Sequence, residues 1–353
     1  KILVFITIYK MERNNILIIG GIAAVIVLIG VVYMYTSTPE TLEEHLLIYG
    51  PADPEDVRPW LDAFEDKYPG TTVEFVSKPP PPLYAQIQAE LDAGGPTADI
   101  LMITLPIQLT LAEAGEFLAY KSGERSAFPD NFKDSEGLWT AVQVNPVILV
   151  YNSQTLSSNE LPKTINDLLN PTWKGRLASH DVTLGSVGTS WLATMNGVLG
   201  SEGTSFVEGL AALEPARFRN FEDVGRTVYE GEKDIGIIVY LHDLLRFQAT
   251  GAPIERLVIE DLPTLFTVTP VSIMKNTESP VAAKRFVDFI LSEEGQELIG
   301  NTEIRIAARS GVDTKYTLEK LLSDEDLTLF PSDDAFTNGD SYKEEFTTLF
   351  TQE

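Results

Sequence analysis

Apolar and polar positions follow two periods along most of this chain. The apolar run Leu46–Tyr49 is followed by Asp53-Pro54-Glu55-Asp56, then by Val57, Trp60, Leu61, Phe64 and Tyr68. Those five fall at i, i+3, i+4, i+7 and i+11, which is one stripe of a helix. Asp53 is suited to cap that helix and Pro54 to its first position, and acids in its first turn suit the positive end of its dipole. Thr72–Val76 reads as the next strand. The segment is therefore a βαβ unit, with parallel strands and a right-handed crossover.

The same reading continues downstream. Pro79–Pro82 reads as a stiff extended connection. Leu83, Ile87 and Leu91 mark a helix ending near Gly94-Gly95, and Asp99–Ile103 is the third strand. Val147–Tyr151 and Ile235–Tyr240 are later strands. Strands that alternate with helices predict an α/β body with both sheet faces covered. No internal repeat is visible.

The first residues stand apart. Ile16–Tyr35 contains 20 residues and no charge, long enough to cross a bilayer as one helix. It is longer than the apolar part of a cleaved signal, and no Ala-x-Ala follows it, so an uncleaved membrane anchor is expected. Lys10 and Arg13 precede the span, and Glu40, Glu43 and Glu44 follow it. The positive-inside tendency then puts the body outside the cytoplasm. Residues 36–45 read as a polar linker.

Composition narrows the function. The 353 residues, 44% hydrophobic, suffice for one large domain or two lobes. There is no cysteine, which excludes disulfides and thiolate metal sites. Setting aside the three basic and one acidic residues of 1–35 leaves 23 basic and 51 acidic groups, a formal charge of −28. Such a body repels nucleic acid and anionic membrane surfaces. No phosphate-binding loop, Gly-x-Ser-x-Gly or His-Glu-x-x-His occurs. Of the three histidines, His45 lies in the linker and His180 in an expected loop, while His242 adjoins Asp243. Neighbours at a helix start point in different directions, so that last pair makes a poor catalytic dyad.

Six stretches, in order, resemble a known family. "LLIYGPADPEDVRPWLDAFEDKYPGTTVEF" and "LYAQIQAELDAGGPTADILMIT" resemble the opening of extracytoplasmic solute-binding proteins of ABC importers. "ILVYNSQTL", "LNPTWKGRLA", "GEKDIGIIVY" and "SPVAAKRFVDFILSEEGQELI" resemble later motifs of their iron(III)-type group. The resemblance runs from about Leu46 to Ile299. It implies a two-lobed type II periplasmic-binding-protein fold with a two-strand hinge, here preceded by one transmembrane helix. Residues 1–40 would be the N-terminal segment with its span 16–35. Residues 41–150 and 262–353 would form the first lobe, and 151–261 the second. The tail after Gly311 would pack on the first lobe.

Ligands of open α/β sheets bind beyond the carboxyl ends of strands, where helix N-termini point. Candidate contacts at such ends are Tyr49 and Gly50, Thr104, the loop of Ser186, Thr189 and Ser190, and Tyr240, His242 and Asp243. Asn145 and Tyr151 lie where the chain passes between the expected lobes. Each has a plainer alternative. Tyr49 and Gly50 suit an ordinary βα turn, Ser186, Thr189 and Ser190 suit a helix cap, and Tyr151 suits a packed hinge. Trp173, with Lys174 and Arg176 solvated, reads as structural. Glu222 and Asp223 read as helix-start acids.

The stretch "IVYLHDLL", Ile238–Leu245, is where the resemblance implies an iron(III)-binding tyrosine pair. Counted without gaps from Gly251, the pair falls on Leu241 and His242, and Tyr240 is one position early. "YGPADPE" lacks the expected first-loop histidine, and Thr104 stands where an acid is expected. Iron would leave Tyr49, Tyr240 and His242 as donors. The resemblance thus implies a solute-binding component, not an enzyme. It would work with an ABC permease and its ATPase, and take iron(III) or a chelate, or a phosphorylated compound, an amine or a thiamine-like vitamin. No cofactor is implied, and a metal enters only as cargo. A tethered sensor of the same fold without a permease is the alternative.

Overall fold

The computed structural model describes residues 45–353 apart from 96, 185, 186, 303, 323–326, 352 and 353. The expected span 16–35 and Ser186 lie outside the described residues. Among the described residues no helix is long and apolar enough to cross a membrane.

Strand β1, His45–Gly50, leads into helix α1, Pro54–Lys67, and strand β2, Thr72–Ser77. Asp53 caps α1 by accepting from the Glu55 amide at 2.9 Å. Val57, Trp60, Leu61 and Phe64 are buried, as the stripe predicts. β1 and β2 pair in parallel. Helix α2, Pro80–Asp92, begins inside the proline run, which is thus not an extended connection. Proline has no amide hydrogen to lose in a first turn, and its fixed φ suits a helix, so three prolines open α2 at little cost. Strand β3, Ile100–Leu101, then pairs with β1, and helix α3 is Leu105–Glu113.

After strand β4, Phe117–Leu118, the long strand β5, Thr140–Asn152, leaves this first lobe. The second lobe contains strand β6 (Leu177–His180), helices α4 (Val187–Val198) and α5 (Gly203–Ala212), strand β7 (Ala216–Phe218) and helix α6 (Phe221–Tyr229). It continues with strand β8 (Ile235–Tyr240), helix α7 (Leu241–Ala249) and strand β9 (Ile254–Leu257). Strand β10, Thr264–Met274, returns antiparallel to β5. Its far end pairs with β3, so β5 and β10 are the two strands that join the lobes. Their register slips at Pro270, a residue that has no amide to give the ladder. Strand order is β2-β1-β3-β10-β5-β8-β6-β7.

Helices α8, Pro280–Leu291, and α9, Glu293–Thr302, return to the first lobe. There Phe286 packs 5.9 Å from Trp60 and 5.2 Å from Phe64, ring centre to ring centre. Each such fully buried ring contributes about 1.5–3 kcal/mol. Strand β11, Ile306–Ala307, pairs with β5.

The tail departs from expectation. Strand β12, Leu327–Leu329, pairs with β10, and helices α10, Asp333–Thr337, and α11, Gly339–Thr351, lie on α4. Phe330, Ala335 and Phe346 are buried in the same apolar cluster as Trp191 and Phe206 of the second lobe. The tail from Leu327 therefore covers the second lobe, because α4 and α5 present an apolar face that needs a lid. Trp173 is buried, with its indole nitrogen donating to the Asp167 carbonyl at 3.0 Å. Arg176 is not simply solvated: it lies 4.6 Å over that ring and pairs with Asp234. Lys174 pairs with Glu214 at 2.7 Å.

Candidate functional site

The carboxyl ends of β6 and β8 carry the densest set of polar and aromatic groups. β8 reaches them through a bulge. Ile148 pairs with Val239 and Val150 with Gly236, so Ile237 and Ile238 together oppose one residue of β5. Ile238 has φ of +63°, a left-handed conformation rare for a β-branched residue and costing of order 1–3 kcal/mol. Its fully buried side chain holds it there. A one-residue slip exchanges the faces of a strand, so the bulge decides where Tyr240 points.

Tyr240 begins a ladder of rings. Its ring centre lies 5.0 Å from that of His242 and 4.4 Å from that of Phe221. Phe221 stacks on His180 at 4.0 Å, with the planes 8° apart. His180 is not in a loop: it closes β6, and is buried. Its Nδ1 has no hydrogen-bond partner. The first turn of α4 passes so close that a Cβ on Gly188 would lie 2.4 Å from that nitrogen. Burial lowers the His180 pKa to about 4, so the ring is neutral at neutral pH. Burial likewise raises the Tyr240 phenol.

Charges gather at the foot of the ladder. Asp243 is 6% exposed, and its carboxylate lies 3.7 Å from Arg246 and 3.6 Å from His242. Burial raises its pKa to about 6, against the pull of Arg246 and Arg305. Arg305, which precedes β11, reaches across so that its Nη1 is 3.0 Å from His242 Nε2. Its Nη2 is 3.9 Å from Asp56 on α1. Burial first, then Arg305 and Arg246, push the His242 pKa well below its ordinary value.

The other candidates fare differently. Tyr49 turns towards α2. Its hydroxyl donates to Glu90 at 3.2 Å and accepts from Gln86 at 3.0 Å. Burial, then Glu90, push its pKa up to about 12. Gly50 is required because a Cβ would lie 2.8 Å from the Met102 carbonyl oxygen. Thr104 precedes α3 without capping it, and its buried hydroxyl has no partner. Asn145 donates to Thr269 at 3.0 Å, between the two hinge strands. Thr189 donates to the Val182 carbonyl at 2.7 Å, and Ser190 is buried beside it.

Tyr151 is not at this edge. It pairs with Ile235, the opposite end of β8 from Tyr240. Four residues along β5 from Val147, it lies roughly 13 Å away. Glu222 and Asp223 sit in the first turn of α6, where Asp223 pairs with Arg226. Among the described residues no three of His, Cys, Asp and Glu gather as a metal ion would need. A cavity of about 440 Å³ lies between Val147–Leu149, Trp191 and Arg256–Thr264. Three members of the edge set escaped sequence reasoning: His180, Phe221 and Arg305. The apolar pair Leu177-Ala178 shortly before His180 was the one signal that marked a strand end.

Two α/β lobes joined by two antiparallel strands are the architecture of the two-lobed solute-binding proteins. The profile of the bacterial extracellular solute-binding proteins matches residues 95–323, and the chain belongs to that family. Its members bind solutes and are not enzymes. An Fe(3+)-binding periplasmic protein of Serratia marcescens is 22% identical over 265 residues, 73% of this chain and 76% of that one. The crystal structure of iron-bound HitA from Pseudomonas aeruginosa superposes with a TM-score of 0.74 at 24% identity, over 86% of this chain and 99% of that one. The binding protein AfuA from Actinobacillus pleuropneumoniae, with fructose-6-phosphate bound, gives 0.73 at 23% identity, over 88% of this chain and all of that one.

Proposed function

We propose that this protein is the solute-capturing component of an ABC importer, held outside the cytoplasm by the apolar span 16–35. It closes two lobes on a small polar solute and then docks on a membrane permease driven by a cytoplasmic ATPase. The observation that carries this reading is the pair of strands β5 and β10. Among the described residues they are the paired strands that run antiparallel from one lobe into the other, so a change in their twist moves the lobes as bodies. The solute drives closure only as far as it binds the closed form better. Relatives are named for ferric iron and solved with a sugar phosphate, so both a metal and an organic anion belong in the test panel. Tyr240, His242, Asp243, Thr104 and Asn145 are the contacts favoured here, since their polar atoms lie at the strand ends or the hinge. Small-angle scattering of the chain with and without each solute is the test. A smaller radius of gyration with one solute class supports capture. No compaction across ferric salts, phosphorylated compounds, carboxylates, amines and vitamins overturns it.

A further inference from the structure

We propose that the cavity beside the second-lobe end of the hinge is a ligand site of its own, and that it takes a small uncharged molecule bearing hydroxyl groups. It stands apart from the capture reading, since none of His180, Phe221, Tyr240 and His242 lines it. The cavity follows from how the sheet is joined. On one edge of β5, Leu149 pairs with Leu257 of β9 and Val147 with Leu265 of β10. Positions two apart on a strand are separated by about 7 Å. Residues 258–264 span that same step, so they bow away from the edge and leave a space of about 440 Å³ behind them. Strand β8, with Tyr240, occupies the other edge of β5.

That space has fixed walls. The Glu260 amide donates to the Lys163 carbonyl at 2.7 Å, and the Leu262 amide to the Ile259 carbonyl at 3.2 Å. The Ile165 amide donates to Asp261 Oδ1 at 2.7 Å. Val147, Leu149, Leu257 and Ile259 are buried and supply apolar surface. Protein interiors pack to the density of organic crystals, with few voids larger than a water. A space of this size instead falls within the roughly 300–1,000 Å³ of small-molecule sites.

Three residues of the wall set the chemistry. Trp191 is 1% exposed, and among the described residues its indole nitrogen, a donor only, meets no acceptor. Also among the described residues, Glu260 accepts no hydrogen bond on its carboxylate, and Asp261 accepts one on a single oxygen. An ammonium has no acceptor to give the indole, and a carboxylate has no donor to give the acids. A hydroxyl is donor and acceptor at once, and its carbon frame suits the apolar wall. Arg256 is already engaged, in part by Thr264 at 3.2 Å, and serves as wall rather than anchor. An anion would also meet the negative field of a body of formal charge −28.

The test titrates the full chain, with isotope-labelled indoles, against probes built on one ring: myo-inositol, cyclohexanol, cyclohexanecarboxylate and cyclohexylamine. The chain has four tryptophans, and Trp191→Phe assigns the Trp191 N–H resonance by its loss. A neutral probe should move that resonance downfield and saturate below about 10 mM, and the two charged probes should not. By calorimetry Trp191→Phe, which keeps an aromatic ring but loses the donor, should weaken the neutral probe about tenfold. Val258 lines the cavity yet is 54% exposed, so Val258→Phe narrows the space at little risk to the fold. It should weaken binding by a similar factor with the Trp191 resonance still present. A charged probe that binds as tightly as the neutral ones overturns the inference. So does a resonance that no probe moves, or that moves without saturating, which marks a space holding only water. Unchanged affinity in both variants places the binding elsewhere and overturns it too. Each of these outcomes leaves solute capture untouched.

Discussion

The sheet edges of the two lobes each offer a tyrosine at a strand end, and they use it differently. In the first lobe Tyr49 turns into its own domain, and Glu90 and Gln86 occupy its hydroxyl. In the second lobe the bulge at Ile238 brings Tyr240 into a ladder with His180, Phe221 and His242, with Arg305 at its end. In both lobes the tyrosine lies at the carboxyl end of a strand. Side-chain parity then decides which neighbours a residue there meets, and a one-residue bulge is enough to change that parity.

That contrast can be broken by experiment. The largest effect is expected from Phe221→Ala, which removes the ring held between His180 and Tyr240. It should cost about 3 kcal/mol in urea unfolding and weaken solute binding as well. A cost below that of a Tyr49 variant would show that the ladder is incidental.

Two titrations come next, with opposite signs. The Asp243 pKa is raised to about 6 in the fold against an ordinary 3.8. The folded state therefore holds that proton more tightly, and the stability it gives is full below pH 3.8 and lost as pH rises through 6. Asp243→Asn lacks this loss, so its stability relative to wild type should rise by about 2 kcal/mol from pH 4 to pH 7. The His180 pKa is lowered to about 4 from 6.5, so its stability is present above 6.5 and lost as pH falls through 4. His180→Phe should therefore gain on wild type by about 2 kcal/mol in the acid direction. Equal slopes for variant and wild type in denaturant unfolding would refute either assignment.

Smaller effects belong to the first lobe and to the far end of β5. Tyr49→Phe should cost about 1 kcal/mol, the net worth of a buried hydroxyl's bonds, with no change in solute affinity. Tyr151→Phe should change affinity by less than about twofold, since the residue sits at the opposite end of the second lobe's sheet from Tyr240. A tenfold loss in calorimetry would return Tyr151 to the site.

Much of the fold was legible in the chain. The stripe Val57–Phe64, its Asp53 cap and the strand Ile235–Tyr240 are all local patterns, and the structure contains them where the pattern puts them. The prolines misled because the same φ serves an extended segment and a first helical turn. His180 was passed over because a buried strand of only four residues, Leu177–His180, leaves little periodicity to read. Arg305 gave no signal, since its partners Asp56 and His242 are remote in sequence.

By itself the sequence determined the alternation of strands and helices, the family, and the strand ends that serve as candidate contacts, because these follow from short-range periodicity and from motifs in order. Only the tertiary structure decided which faces those ends present, that the tail from Leu327 covers the second lobe, and that a cation from beyond that lobe meets His242. Those outcomes depend on one bulge and on contacts between distant segments, and no local pattern encodes either.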